Sequence, residues 1–443
     1  MTSHSPYATD LSDTRLPPPG CPAHQDACHI TGDDLRHDPA AFYEARRRAY
    51  GGVVPVVLDG VFAWLVLGYA ELKEVTQRGE TFTRDSRYWR PREGSVPEGW
   101  PLEPHTVWRP NAVFAGGEEH TRLRGALTRA LGKVKAQRVR RSAVETGHRL
   151  IDTFVGAGRT DLLARYALPL PLLTLMRLFG FPPAAEAPLQ RAIAALLACG
   201  DDAPAAARQV MDIVTGQVRR RREEPAGDLT TWLIQEHDAM SPGMSRDAVD
   251  TEIREQIWLT INAGHGATAV WIANAIEQLV SRRDVQAGMW AGWMDVQGAL
   301  RATLWERTPL QNVIGRWATR DVVVGGRHIQ AGDMLVLGLA GANTDPCHGS
   351  ASDRADFATY NEAFFSWGNG PHQCPVPDLA QAIARAAVEC LWDRIPDVHL
   401  TDPGRPVEWE PGIMMRCPRA LPVSFDPAQP HAATRRRAPT GGC

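Results

Sequence analysis

The residue best suited to chemistry in this chain is Cys374. It closes the run Trp367-Gly368-Asn369-Gly370-Pro371-His372-Gln373, whose two glycines and one proline make a tight loop just before a helical pattern. Backbone N–H groups and the positive end of a helix favour a thiolate over a thiol. A thiolate held in that way suits a bond to iron, with electron density pushed towards oxygen bound on the far side. The other reading is a buried cysteine in a turn.

A second segment with chemical promise is Ala263-Gly264-His265-Gly266-Ala267-Thr268. It falls in the middle of the longest helical pattern, Arg246–Ser281, with Ser245 as the N-cap. Each glycine in a helix interior costs about 1 kcal/mol relative to alanine. Two of them there point to close packing or to a ligand against that face.

The rest of the chain must position these two segments. Its 443 residues are 44% hydrophobic and 22% charged, ordinary for a globular protein with a large core. Helical patterns dominate, from Asp38-Pro39 through Tyr50 onward to Leu379–Arg394. Short strands interrupt them at Val53–Leu58, Val61–Leu67, Val322–Val324, His328–Ile329 and Met334–Leu339, the first two joined by a hairpin signal at Asp59-Gly60. No linker divides the chain. The expectation is a mainly α fold with a small β region: a loose arm over residues 1–35, one domain over 36–426 and a loose tail over 427–443. The stretch Trp89–Pro110 is rich in Pro and Trp and has no period, as functional loops often do.

A formal net charge of -3 calls for no nucleic acid and no anionic membrane. The run Arg219–Arg222 reads as a solvated helix end. No window approaches the roughly 20 apolar residues of a spanning helix, and Met1–Pro19 lacks the apolar core of a signal peptide. A cytoplasmic monomer with reduced cysteines is expected.

The cysteine segment resembles the haem-binding loop of the cytochromes P450, Phe-x-x-Gly-x-x-x-Cys, with Trp367 at the Phe position and Gly370 and Cys374 matching. The resemblance extends over most of the chain. Cys21-Pro22-Ala23-His24 is similar to the arm of bacterial members. Glu119-His120-Thr121-Arg122-Leu123-Arg124 is similar to their helix C, where a His and an Arg share one face and hold a haem propionate. Arg316 matches the second propionate arginine, and His372 is a third candidate. The resemblance implies the P450 fold, with haem b (iron protoporphyrin IX) between the long central helix and the cysteine loop. It implies Cys374 as the metal ligand, with His120, Arg124, Arg316, Trp367, Gly368, Gly370 and His372 around the cofactor. Gly264, Gly266, Ala267 and Thr268 fall on the family's oxygen-side segment, Ala-Gly-x-Glu/Asp-Thr-Thr.

The sequence departs from the family twice. Gly266 stands at the acid position and Ala267 at the alcohol position, so proton relay falls to Thr268, His265, water or a substrate hydroxyl. His265 is expected to point outward. Ala302-Thr303-Leu304-Trp305 stands where the family has Glu-x-x-Arg, as in a small set of actinobacterial members with Trp at the arginine position. Losing both partners of a buried ion pair together can be nearly neutral. Glu362 and Phe364 also sit where a basic residue and a His are common.

The functional expectation is a monooxygenase that oxidises a small organic molecule, with electrons from a ferredoxin and its reductase. The chain carries no flavin or nicotinamide motif. Two other readings stay open: a haem-binding protein with little oxygenase activity, and peroxide-driven haem chemistry. The pocket roof is expected from Trp89–Val113 and the helices around residues 185–222.

Overall fold

Asp38 caps the first long helix: its carboxylate accepts the Ala41 N–H at 2.9 Å, with Pro39 in the first turn. In a computed structural model, residues 27–91, 96–197, 202–292, 294–348 and 362–430 are described. The helices begin with α1 (Pro39–Tyr50), α2 (Tyr69–Gln77), α3 (Gly117–Gly132), α4 (Ala136–Ile151), α5 (Pro169–Leu178) and α6 (Glu186–Leu197). They continue with α7 (Ala203–Glu223), α8 (Leu229–Met240), α9 (Arg246–Ser281) and α10 (Arg283–Ala291). The last three are α11 (Val296–Glu306), α12 (Leu339–Asn343) and α13 (Pro377–Arg394).

The main sheet holds β1 (Cys28–Ile30), β2 (Val53–Leu58), β3 (Val61–Val66), β4 (Phe82–Thr83), β6 (Val313–Ala318) and β9 (Met334–Leu337). Its order is β1-β2-β3-β9-β6-β4. Asp59 and Gly60, at φ 46 and 88, supply the left-handed pair that a two-residue hairpin between β2 and β3 requires. A small sheet joins β5 (Arg159–Asp161) to β11 (Pro422–Ser424) and β11 to β10 (His399–Leu400). β7 (Val322–Val324) and β8 (Arg327–Ile329) form a separate hairpin.

α9 is the axis of the molecule. Its 36 residues span about 54 Å at 1.5 Å per residue, and every residue from Thr268 to Val280 is buried. A helix covered on all sides belongs at the centre of a large helical core. That core packs α3 to α8, α11 and α13 around it, and two smaller apolar clusters cover the faces of the main sheet.

Three expectations change. The arm was expected to reach residue 35, yet Cys28–Ile30 pairs in parallel with β2, and Ile30 and Leu35 fill the sheet's apolar face. The fold also runs past residue 426, where the Ala428 N–H meets the Val155 carbonyl at 3.1 Å. Residues 1–26 and 431–443 of the expected arm and tail lie outside the described residues. The Arg219–Arg222 run is not a solvated end: Arg221 pairs with Asp228, and Arg222 bridges Asp238 and Asp250, tying α7 to α8 and α9.

The expected roof divides in two. Trp89 and Trp100 pack on each other and on the sheet, with the Trp100 indole donating to the Leu58 carbonyl at 3.0 Å. Among the described residues of that stretch, the later part lies along α9, where Arg109 makes a two-pronged ion pair with Glu255 at 2.6 and 2.8 Å.

Candidate active site

The cysteine loop takes its shape from its glycines. Gly368 and Gly370 sit at φ +71 and +72, and a Cβ on Gly370 would collide with the Thr76 carbonyl at the end of α2. Asn369 donates to the Thr76 hydroxyl at 3.0 Å, and the Cys374 N–H donates to the Trp367 carbonyl at 2.7 Å. Cys374 is thus held at both ends of a closed turn ahead of α13. Burial pushes its thiol up, and the Val376 N–H and the Arg124 charge pull it only part of the way back. The sequence reading had the loop's donors prevailing; here burial wins, and a bound cation would be needed to favour the thiolate.

Four of the basic residues singled out in the sequence converge on one edge of this loop. The rings of His120, on α3, and His372 lie 4.1 Å apart between centroids. Arg124, one turn on from His120, donates to the Gln373 carbonyl. Arg316 comes in from β6, only 3% exposed. Burial, reinforced by Arg124 and Arg316, lowers the His120 imidazole to about 4. Burial and its cationic neighbours push His372 down too, and burial with the Arg84 charge does the same to Arg316. Among the described residues, His120 Nε2 and Arg316 Nε and Nη1 are buried with no hydrogen-bond partner. Buried polar groups orphaned in that way need partners from outside the chain.

Arg84 was missed by the sequence reading. It follows β4, is 7% exposed, and donates to the carbonyls of Ile314 and Gly315 beside Arg316. No motif marks it; the register of β4 against β6 was its only signal.

On α9 the singled-out residues separate. Gly264 faces α5, where a Cβ would lie 3.3 Å from Leu175 Cδ1, so helix packing accounts for it. A Cβ on Gly266 would meet only Met415 Cε, at an ordinary 3.8 Å. His265 does not face solvent as expected: it is 4% exposed, and its Nε2 lies 2.9 Å from the Leu168 carbonyl. That bond turns it towards the start of α5. Thr268 is buried, Ala267 is half-buried, and Asn262 and Ala263 are exposed.

Trp305 is buried and meets Phe364 edge to face. Glu306 and Arg307, one step along, pair elsewhere, with Arg282 and Glu277. Trp305 thus fills its place at the end of α11 with an aromatic contact and no ion pair.

These groups fit a haem: a thiol on a rigid loop, and beside it buried polar groups for its carboxylates, among them the unsatisfied guanidinium of Arg316. No family model matches the chain. The mycinamicin IV hydroxylase/epoxidase of Micromonospora griseorubida is 28% identical over 380 residues, covering 82% of this chain and 90% of that protein. The cytochrome P450 monooxygenase PikC of Streptomyces venezuelae is 29% identical over 402 residues, 89% of this chain and 92% of its own. Among solved structures, CYP154C4 from Streptomyces sp. W2061 superposes with a TM-score of 0.79 at 24% identity, over 90% of this chain and 99% of that one. The myxobacterial CYP267B1 does so at 0.75 and 26% identity, over 88% of this chain and 97% of that one. The chain has the cytochrome P450 fold and is similar over most of its length to bacterial cytochromes P450.

It is accordingly an oxidoreductase of the P450 monooxygenase type, and its cofactor is haem b. Among the described residues, no helix is long and apolar enough to cross a membrane.

Proposed function

We propose that Cys374 is the iron ligand and that His120, Arg124, Arg316 and His372 hold the haem propionates. The observation that carries this reading is the set of buried, unpartnered donors on His120 and Arg316, drawn to one edge of the cysteine loop. Bound haem supplies the oxidising chemistry, and the protein binds, orients and dries the site. Trp367, Gly368 and Gly370 shape the loop. Thr268, with water or a substrate hydroxyl, moves protons on the α9 side, where Gly266 leaves room beside Met415. The substrate is a small organic molecule. Electrons come from a separate ferredoxin and its reductase, because the chain has no flavin or nicotinamide motif of its own.

The lack of an acid at position 266 and an alcohol at position 267 favours a second reading, in which peroxide replaces oxygen and electrons, or turnover is slight. Turnover with ferredoxin, reductase and NAD(P)H on a compound library separates the two. Product that depends on NAD(P)H supports the monooxygenase; product with peroxide alone supports the second reading. For Cys374, the reduced protein with CO should give the red-shifted Soret band of thiolate ligation. A histidine-type band would remove the assignment, as would an unchanged iron spectrum in Cys374→Ser.

A further inference from the structure

We infer that Arg84 is a positioning residue for the haem edge, fixing the backbone turn that aims Arg316 into the site. This rests on the propionate role proposed above for Arg316.

The argument begins with the ladder. β4 pairs with β6 in antiparallel register, Phe82 opposite Ala318 and Thr83 opposite Trp317. The next step along that register sets Arg84 against Arg316. There β6 is irregular: its pairing with β9 slips between Ile314 and Arg316, and Gly315 takes φ +93. A bulge re-aims the side chains that follow it and leaves backbone groups without ladder partners. Arg84 Nη1 meets those groups, donating to the Ile314 carbonyl and, at 2.7 Å, to the Gly315 carbonyl. A planar guanidinium with five fixed donors can clamp adjacent carbonyls in a way that an ammonium cannot.

The same side chain reaches a second support. Arg84 Nε donates to the Val113 carbonyl at 3.3 Å, in the segment that leads into α3 with His120 and Arg124. Its Cζ lies 5.7 Å from the Phe114 ring centroid. One residue therefore braces both elements that bring donors to the haem edge.

Charge makes the same point. Arg84 and Arg316 are both buried, and among the described residues neither has an acidic partner. Two buried like charges side by side are expensive unless a counter-ion is bound. Two carboxylates of one cofactor are the counter-ion that fits.

The test is the rate at which the holoprotein loses haem to excess apomyoglobin, with the visible spectrum recorded alongside. Arg316→Gln should speed release about tenfold or more, and Arg84→Gln should do nearly as much with the thiolate band unchanged. The double variant should release haem no faster than Arg316→Gln alone, because Arg84 acts through Arg316. Additive effects would overturn the inference, leaving Arg84 a general structural residue. Arg84→Lys keeps the charge and most of the bulk but loses the fork, and serves if Arg84→Gln does not fold. It should behave as Arg84→Gln does; a wild-type release rate would overturn positioning in favour of charge alone. If Arg316→Gln itself leaves release unchanged, the propionate reading is what has failed.

Discussion

The rings of Trp305 and Phe364 meet edge to face, 5.3 Å between centroids with planes 88° apart. The pair links the end of α11 to the segment before the cysteine loop. Neutral bonds reinforce it. The Leu304 carbonyl accepts from the Ser366 hydroxyl at 2.6 Å and from the Asn343 amide at 3.2 Å. The Asn343 carbonyl oxygen in turn accepts the Phe365 N–H at 2.7 Å. The clasp is built from apolar area and hydrogen bonds, without a desolvated ion.

Trp305→Ala should therefore destabilise the protein by about 3–5 kcal/mol, the usual range for a large aromatic lost from a core. Trp305→Arg should be at least as damaging, since it buries an unpaired charge. Ala302→Glu added to Trp305→Arg should recover part of that loss by giving the arginine a partner. Urea midpoints of the three variants measure this. A Trp305→Arg protein as stable as wild type would mean that an acid already faces the position.

How much of this was legible in the sequence depended on how local the signal was. The β2–β3 hairpin, the Asp38 and Ser245 caps and the cysteine loop each declare themselves within a few residues. α8 does not, because Thr230, Thr231 and His237 are buried among its apolar residues and spoil the period. β6 is hidden by Gly315, which reads as a breaker until the bulge explains it. Arg84 was invisible because its meaning lies in a partner more than two hundred residues away. Gly264 was read as part of the oxygen-side segment, but its reason is the Leu175 side chain on α5.

His265 offers a direct check on the direction of an α9 side chain. Its ring meets the Leu168 carbonyl, and burial depresses its pKa, so it is a neutral packing residue. His265→Ala should cost about 1–3 kcal/mol, from one lost hydrogen bond and a buried carbonyl left unpaired. The spin shift induced by bound substrates should not change. An altered spin shift at unchanged stability would place the ring in the pocket instead.

The corner where α3, α8 and α9 meet should be acid-labile. Burial alone would raise the Glu252 carboxyl, but two bonds from Arg122 and the nearby His237 outweigh it and hold the group at about 2, against an ordinary 4.5. Between those values the unfolded chain binds more protons than the folded one, so stability rises with pH across the window. The contribution is fully present above pH 4.5 and is lost as pH falls towards 2, about 3 kcal/mol in all. Urea titrations at stepped pH should show Glu252→Gln losing less stability than wild type over that range. Parallel curves would assign the acid sensitivity to other groups.

Ala267 is the position at which the proton route can be tested by addition. The helix continues unbroken through Gly266 and Ala267, and a threonine hydroxyl there can donate its one hydrogen to the carbonyl one turn back while accepting a bond, or rotate to donate it into the pocket. If weak proton delivery limits this enzyme, Ala267→Thr should raise product formed per NAD(P)H consumed by about twofold or more, with total NAD(P)H consumption nearly constant. Adding Gly266→Glu should raise it further, since the nearest atom to a new Cβ is the flexible Met415 methyl at 3.8 Å. A gain would identify the loss of the acid and alcohol as the bottleneck and argue against peroxide as the natural oxidant. No gain, with substrates that otherwise turn over, would mean that Thr268, water or a substrate hydroxyl already carries the proton.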